Sequence, residues 1–183
     1  MADSPQGRRV LVALVTGDAG DRIQKWRLQN DPEQAQRIPP HTTLCYWIPD
    51  VTMAALDGQV RQAFSEPIPV RLGRVQEFDN VDRTFFIDVQ DTPGLDEARE
   101  RLFDGTVVEL PGRDRHWTWH VTCVRKSIGR NVALLREAAR TLDLETGWTV
   151  DTIACLELRG DRYVEMARWE LGAAVPAGAG AGA

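Results

Sequence analysis

The sequence predicts an α+β fold in which strands outnumber helices and pair in an antiparallel manner. Short apolar runs with the length and composition of strands recur along the chain, and fewer segments carry apolar residues at helical spacing. Tight turns separate several of the runs, as at Asp79-Asn80 and at 159–161, which favours hairpins over long parallel crossovers. The chain has 183 residues, 43% of them apolar, which is enough for one sizeable core.

The first half of the chain alternates strands with helices. Ile23 and Trp26 give one apolar face to the first helix, and a polar loop follows it up to Pro39-Pro40. Because proline cannot donate to a ladder, this pair marks the start of a strand. Pro49 ends that strand, and Asp50 is the predicted N-cap of the next helix. The predicted strands are 10–15, 41–48, 68–78 and 84–89, and the predicted helices are 19–30 and 53–64.

The second half repeats this alternation. Thr92-Pro93 opens a helix as cap and first-turn proline, with Leu95, Ala98 and Leu102 on its inner face. From Gly172 the chain is mostly glycine, alanine and proline, a composition that cannot bury enough apolar surface to become ordered. Residues 1–7 and 173–183 are therefore predicted to be disordered tails around a single domain at 8–172. The remaining predicted elements are strands at 117–125, 148–158 and 163–171 and a helix at 129–142.

Bulk properties exclude several classes of protein. The formal net charge of −5 argues against a large non-specific nucleic-acid surface, although it allows a small phosphate-binding groove with local arginines. No apolar run is long enough for a signal peptide or a membrane span. Three cysteines in strand-like runs indicate buried, reduced thiols. These properties predict a cytoplasmic, monomeric protein that does not bind membranes.

Two short motifs carry the functional signal. His41-Thr42-Thr43-Leu44 and His120-Val121-Thr122-Cys123 share the pattern His-x-Thr-apolar, although the chain has only 3 histidines. In a strand, residues i and i+2 point to the same face, so each motif presents an imidazole beside a hydroxyl. The two histidines are 79 positions apart (120 − 41), which suggests an internal duplication with one half-site in each copy.

Strict alternation assigns faces to the neighbouring residues. In the first strand, Cys45 and Trp47 share the face of His41 and Thr43, opposite Thr42, Leu44, Tyr46 and Ile48. In the second strand, Thr122 shares the face of His120, and Arg125 has the parity of the core unless a β-bulge turns it. The histidine and threonine set is expected to line a groove, with Trp47 as a candidate for base stacking at its end.

The two motifs resemble the two-histidine phosphoesterase superfamily, which includes the bacterial RNA 2′,3′-cyclic phosphodiesterases, also called 2′-5′ RNA ligases. The resemblance covers residues 8–171, and only the two His-x-Thr strands are specific at the residue level. It implies a bilobal fold, with two pseudo-symmetric antiparallel-sheet lobes, flanked by helices, around a central groove. Thr42 and Cys123 depart from the family pattern, which has aliphatic residues there.

A third histidine overlaps the second motif, because His116-Trp117-Thr118 also reads His-x-Thr. We favour His120 as the catalytic residue, since Cys123-Val124-Arg125 continues its strand as the family's HVTLxR pattern does. His116 follows the charged turn 113–115 and is predicted to lie at the rim.

The resemblance implies that His41 and His120 are the catalytic acid and base, with His120 as the base in the hydrolytic direction. The residues themselves leave open which histidine is which, because the reverse reaction exchanges the roles. Thr43, Thr122 and Arg125 are the candidate phosphate-binding residues. Histidine titrates near neutrality and can fill both proton-transfer roles. No cofactor and no metal site are expected, because the histidines lack a nearby cluster of acidic ligands.

The predicted function is a metal-independent phosphodiesterase that opens the 2′,3′-cyclic phosphate of a nucleotide or RNA end to a 2′-phosphate. The resemblance adds reversible 2′-5′ RNA ligation as a further activity. The sequence does not select among RNA, mononucleotides, 2′-5′ oligonucleotides and ADP-ribose cyclic phosphate as the substrate. The alternative is a non-catalytic nucleotide- or RNA-binding module with the same groove, but a pure binder has no need of two proton-transfer groups.

Overall fold

Two four-stranded antiparallel sheets and five helices make up the described part of the computed structural model, which covers residues 7–78, 83–112, 117–125, 127, 131–142 and 144–172. The α+β class and the two-sheet arrangement with flanking helices are confirmed. The helices are α1 (Gly17–Asn30), α2 (Pro32–Arg37), α3 (Met53–Ala63), α4 (Pro93–Phe103) and α5 (Val132–Arg140). The strands are β1 (Arg9–Leu14), β2 (His41–Ile48), β3 (Ile68–Glu77), β4 (Phe85–Gln90), β5 (His120–Val124), β6 (Thr146–Val150), β7 (Thr152–Arg159) and β8 (Arg162–Glu170).

The first sheet has the strand order β2-β1-β7-β8, and the second has the order β5-β4-β3-β6. Each motif histidine is the first residue of a strand at the edge of its sheet, His41 in β2 and His120 in β5. These two edge strands contact each other. The sheet topology therefore brings together two motifs that are far apart in sequence.

Three element predictions were wrong. The segment 148–158 is not one strand, because the chain crosses at Asp151 from β6 in the second sheet to β7 in the first. The predicted polar loop before Pro39 contains helix α2, which begins with a proline in its first turn. Asp50 does not cap α3; the cap is Thr52, whose hydroxyl accepts a hydrogen bond from the Ala55 backbone N–H at 3.2 Å.

The terminal tail predictions fall mainly outside the described residues, which begin at Gly7 and end at Gly172. Gly7, the last residue of the predicted N-terminal tail, donates its backbone N–H to the carbonyl oxygen of Leu158 in β7 at 3.2 Å. No helix among the described residues is long and apolar enough to span a membrane.

One hydrophobic core joins both sheets and all but the shortest helix. It includes Leu11 of β1, Leu44 of β2, Leu56 of α3, Ile87 of β4 and Val121 of β5, each of which is completely buried. A smaller cluster covers the opposite face of the first sheet, where Val10, Val12 and Leu14 pack with Ile38 and Tyr46. The first sheet is thus buried on one face by the main core and lines the groove with the other.

A β-bulge changes the alternation in β2. Its pairing with β1 skips Leu44, so that Leu44 and Cys45 both lie in the main core and Tyr46 turns to the groove side. The prediction that Cys45 shares the face of His41 was therefore wrong, as was the prediction that Tyr46 faces the core. His41 and Thr43 precede the bulge, and both line the groove as expected.

The buried side chain of Arg99 ties helix α4 to the bulge. Its Nε donates to the carbonyl oxygen of Leu44 at 3.2 Å, and its Nη2 donates to that of Gly112 at 3.1 Å. The guanidinium also lies 4.0 Å from the centre of the Trp117 ring, three residues before His120. One cation therefore fixes the backbone near both histidines.

We predict that Arg99→Met lowers the free energy of unfolding by about 2–4 kcal/mol, because it leaves carbonyl groups without donors and removes a buried cation–π contact. Chemical denaturation measures the loss. The comparison variant is Arg101→Met on the same helix, whose exposed side chain donates to the carbonyl oxygen of Ala63, a contact partly open to solvent, so we expect a change within about 1 kcal/mol. Equal losses in the two variants would refute the special role of Arg99.

Candidate active site

The two histidines are held in the same way. Nδ1 of His41 lies 2.7 Å from the carbonyl oxygen of Pro39, and Nδ1 of His120 lies 2.7 Å from that of Thr118. A carbonyl oxygen can only accept, so each Nδ1 must carry the hydrogen. Each neutral ring therefore keeps its lone pair on Nε2, the nitrogen that is left to exchange protons with a substrate.

Both motifs line one cavity of about 250 Å³. It holds His41, Thr43, His120 and Thr122, the four residues that the His-x-Thr pattern selects. Thr43 is almost completely buried, with 8% of its surface exposed, whereas Thr122 is half-buried. The structure thus brings the predicted acid, base and hydroxyl groups together around a single space.

Arg125 also lines this cavity, and a second bulge explains how it gets there. The pairing of β4 with β5 skips Cys123, so Cys123 and Val124 are both buried in the main core and Arg125 turns to the groove. The Arg125 backbone N–H donates to the buried Asp31 carboxylate at 2.9 Å, which fixes the chain at this point. Strict alternation alone predicts Arg125 on the core side, and the bulge is the exception that turns it.

Trp47 does not line the cavity. It has a left-handed backbone with φ of 58° at the second irregularity of β2, and its side chain is 41% exposed. The aromatic rings that line this cavity and the neighbouring one, which shares Thr43 and His120 with it, belong to Tyr46, Phe78, Trp117 and Tyr163. Phe78 makes an edge contact with the His120 ring at 5.1 Å between centroids. His116, the third motif histidine, lies outside the described residues.

Three arginines line the cavity without having been selected from the sequence: Arg8, Arg27 and Arg37. Arg27 is almost fully buried on α1, and its Nη2 donates to the carbonyl oxygens of Gln34 and Ile38, each at 2.9 Å. It thereby fixes the segment that leads into His41. A charged residue four positions after Ile23, on the apolar face of the predicted helix, was the available signal for it.

The surroundings keep both imidazoles neutral. Burial lowers the pKa of His41 from 6.5 to about 4; the hydrogen bond to Pro39 opposes this effect, and the charges of Arg27 and His120 add to it. Burial also lowers the pKa of His120, against the opposing hydrogen bond to Thr118. Each Nε2 is therefore an available proton acceptor at pH 7 in the free protein.

A larger cavity of about 650 Å³ lies between β3 and α5, but its chemistry differs. Its residues Arg74 and Arg136 are paired with the carboxylates of Glu145 and Glu77, at 2.9 and 2.7 Å. No histidine is among its described lining residues. We therefore assign the candidate active site to the smaller cavity.

No group of three or more histidine, cysteine or acidic side chains that could hold a metal ion occurs within the described ranges. All three cysteines are buried, as predicted, and none of them forms a disulfide with another of the described residues. Burial raises the pKa of Cys123 to about 12 and that of Cys155 to about 11.

Nitrogen-15 NMR should show both imidazoles neutral and protonated on Nδ1 at pH 7, with His41 titrating near pH 4. Because this folded-state pKa lies below the ordinary 6.5, the His41 contribution to the free energy of unfolding is complete above pH 6.5 and is lost as the pH falls towards 4. His41→Asn should therefore weaken the decline of stability between pH 6.5 and 4. A His41 pKa at or above 6.5, or protonation on Nε2, would contradict the geometry.

The chain is similar to known proteins over most of its length. The family model described as the 2′-5′ RNA ligase superfamily matches residues 16–162. A search of curated protein sequences gives no significant match. The crystal structure of E. coli LigT in its apo form has a TM-score of 0.60 at 18% identity and covers 92% of this chain and 99% of its own.

Two further solved structures show the same fold. E. coli LigT complexed with 3′-AMP has a TM-score of 0.60 at 17% identity, covering 92% of this chain and 99% of its own. The protein TT0787 of Thermus thermophilus has a TM-score of 0.58 at 17% identity, covering 90% of this chain and 97% of its own. At these identities the likeness establishes the architecture, and the arrangement of this chain's own residues must carry the chemistry.

Proposed function

The chain belongs to the 2′-5′ RNA ligase superfamily, and we propose that it is a metal-independent phosphodiesterase that hydrolyses the 2′,3′-cyclic phosphate of a nucleotide or RNA end to a 2′-phosphate. Membership of this superfamily supports phosphoesterase activity on RNA or nucleotides. The observation that carries the finer proposal is the pair of Nδ1-anchored imidazoles, His41 and His120, that line one cavity. The binding of 3′-AMP by LigT supports a nucleotide as the ligand.

Hydrolysis requires one proton to be removed and another to be delivered. In our proposal, Nε2 of His120 takes a proton from water as the water oxygen bonds to phosphorus. The bond between phosphorus and the ribose 3′ oxygen breaks, and protonated Nε2 of His41 gives its proton to that oxygen. Solvent then restores the two protonation states. The same sequence, with the 5′ hydroxyl of a second RNA end in place of water, is 2′-5′ ligation, and its reverse is the cleavage of a 2′-5′ bond.

The substrate itself supplies the charge that this cycle needs. Both imidazoles are neutral in the free protein, whereas the reaction needs one of them protonated. A phosphodiester anion between the rings favours the imidazolium form and raises the pKa values of both histidines. Thr43, Thr122 and Arg125 hold the non-bridging oxygens, where charge develops as the bond breaks. The pH optimum of kcat is accordingly expected to lie above that of kcat/KM, since the latter reports the free enzyme.

The acidic overall charge favours short substrates over long nucleic acid. Tyr46, Phe78 and Trp117 line a second cavity of about 250 Å³ that also includes His120. Aromatic rings at this place suit the face of a nucleobase. In our proposal they take the stacking role that the sequence suggested for Trp47.

We predict that His41→Asn and His120→Asn each lower kcat on a cyclic nucleotide by about 10²–10⁴-fold, as expected for a positioned acid or base. The matched control is His116→Asn, which should stay within about threefold of the wild type. The assay uses a panel of 2′,3′-cyclic nucleotides, cyclic-ended oligomers and 2′-5′ linked oligomers, in excess chelator. Loss of wild-type activity on chelation would contradict the metal-independent mechanism.

A substrate with a nitrophenol leaving group separates the two roles in the same experiment. Nitrophenolate leaves without protonation, so His41→Asn should recover much of its activity on it, whereas His120→Asn should not. If only His120→Asn recovered activity on this substrate, His120 would be the acid and His41 the base. Binding of every substrate without turnover of any by the wild type would favour the alternative, a nucleotide- or RNA-binding module.

A further inference from the structure

The positive charge around the groove exceeds what one cyclic phosphodiester requires. The cavity is lined by Arg8, Arg27, Arg37 and Arg125, and none of its described lining residues is an aspartate or glutamate. A 2′,3′-cyclic phosphate carries a single negative charge, which the two histidines, two threonines and Arg125 already surround. This surplus occurs in a chain whose net charge is −5.

These groove arginines differ from arginines on the outer surface. Arg61, Arg136 and Arg168 are paired with carboxylates at 3.0, 2.7 and 2.8 Å. Within the ranges that the structure covers, Arg8 and Arg37 make no such ion pair. Guanidinium groups that converge on a cavity without carboxylate partners are well suited to bind phosphate.

Arg8 lies at the far end of the groove from His41. It precedes Val12 by four residues, and Val12 pairs with Thr43. The backbone of Arg8 and the backbone of Thr43 are therefore about 13 Å apart along the strand direction. Its guanidinium carbon lies 4.3 Å above the Trp47 ring, which holds it at that end. The contact with Trp47, which follows Thr43 by four residues in β2, therefore keeps the Arg8 guanidinium at a different level of the groove from Thr43.

The unusual backbone of Trp47 serves this contact. Its left-handed conformation, with φ of 58°, coincides with the place where the pairing of β2 with β1 skips a residue. Conformations of this kind are costly for a residue with a bulky side chain, and they concentrate at functional sites. Here the bulge places the indole ring under Arg8 instead of in the core.

We propose that Arg8, supported by Trp47, forms a second phosphate subsite that recognises the 5′-phosphate of the nucleotide whose cyclic phosphate lies between His41 and His120. The 5′-phosphate is on the opposite side of the ribose from the 2′,3′-cyclic group, as Arg8 is on the opposite side of the groove from His41. The subsite rests on the proposed function. It deepens that function by selecting 5′-phosphorylated substrates over plain nucleoside cyclic phosphates.

The test compares three substrates: adenosine 2′,3′-cyclic phosphate, the same compound with a 5′-phosphate, and a dinucleotide that ends in the cyclic phosphate. The wild type should prefer the 5′-phosphorylated compound by about tenfold or more in kcat/KM, as one charge-assisted contact provides. A similar preference for the dinucleotide indicates that the subsite accepts the diester of an RNA end. A preference for the 5′-phosphorylated compound without one for the dinucleotide indicates that the subsite selects free nucleotides as substrates.

In Arg8→Gln, the kcat/KM values for the substrates with and without the 5′-phosphate should differ by no more than about twofold. Arg71→Gln, at an exposed position of β3, should retain the wild-type preference. Trp47→Leu should weaken the preference, and Trp47→Phe should retain most of it, because phenylalanine still offers a ring to the guanidinium. A wild type without any preference would overturn the subsite, and a preference that survives Arg8→Gln would overturn the assignment to Arg8.

A binding measurement separates this inference from the proposed function. Calorimetry should show that adenosine 2′,5′-bisphosphate binds the wild type about tenfold more tightly than 2′-AMP, with the difference lost in Arg8→Gln. That comparison needs no turnover. If the protein shows this binding difference but no turnover, the proposed hydrolysis is contradicted and the subsite stands. If it turns over cyclic phosphates but binds the two ligands equally, the hydrolysis stands and the subsite is contradicted.

Discussion

The candidate active site depends on the meeting of two edge strands from two different sheets. β2 and β5 each begin with a histidine, and each histidine is anchored through Nδ1 to the carbonyl two residues before it. An edge strand leaves part of its backbone unpaired within the sheet, and this freedom lets the residues before the strand turn back towards the ring. Because the two edges face each other across one cavity, the same local geometry, used twice, places two imidazoles around one space.

Bulges then adapt each edge strand to the groove. Plain alternation would send Tyr46 and Arg125 into the core, and the residues skipped in the two pairings, Leu44 and Cys123, reverse that outcome. A bulge leaves backbone groups unpaired, and Arg99 supplies a donor to the Leu44 carbonyl. The buried polar contacts near the groove thus support the same strand geometry that the chemistry needs.

The sequence predicted the parts of the site that depend on local pattern. Periodicity of two placed His41 beside Thr43 and His120 beside Thr122, and the repeat of one motif in two strand contexts identified the pair. The sequence could not place Tyr46 or Arg125 in the groove, because strict alternation assumes that no bulge occurs. Arg8 and Arg37 were missed for another reason: each reaches the cavity only through pairing and packing between distant segments. In the same way, the crossing at Asp151 divides what reads as one apolar strand, since nothing in its composition records a change of sheet.

The orientation of the substrate between His41 and His120 is the most direct test of this account. Phosphorus NMR of the products formed from a 2′,3′-cyclic nucleotide reports which ribose oxygen has left. The account predicts a single product, the 2′-phosphate, because one fixed imidazole can protonate only the 3′ oxygen placed beside it. An equal mixture of 2′- and 3′-phosphates would contradict the fixed in-line geometry on which the proposed mechanism rests.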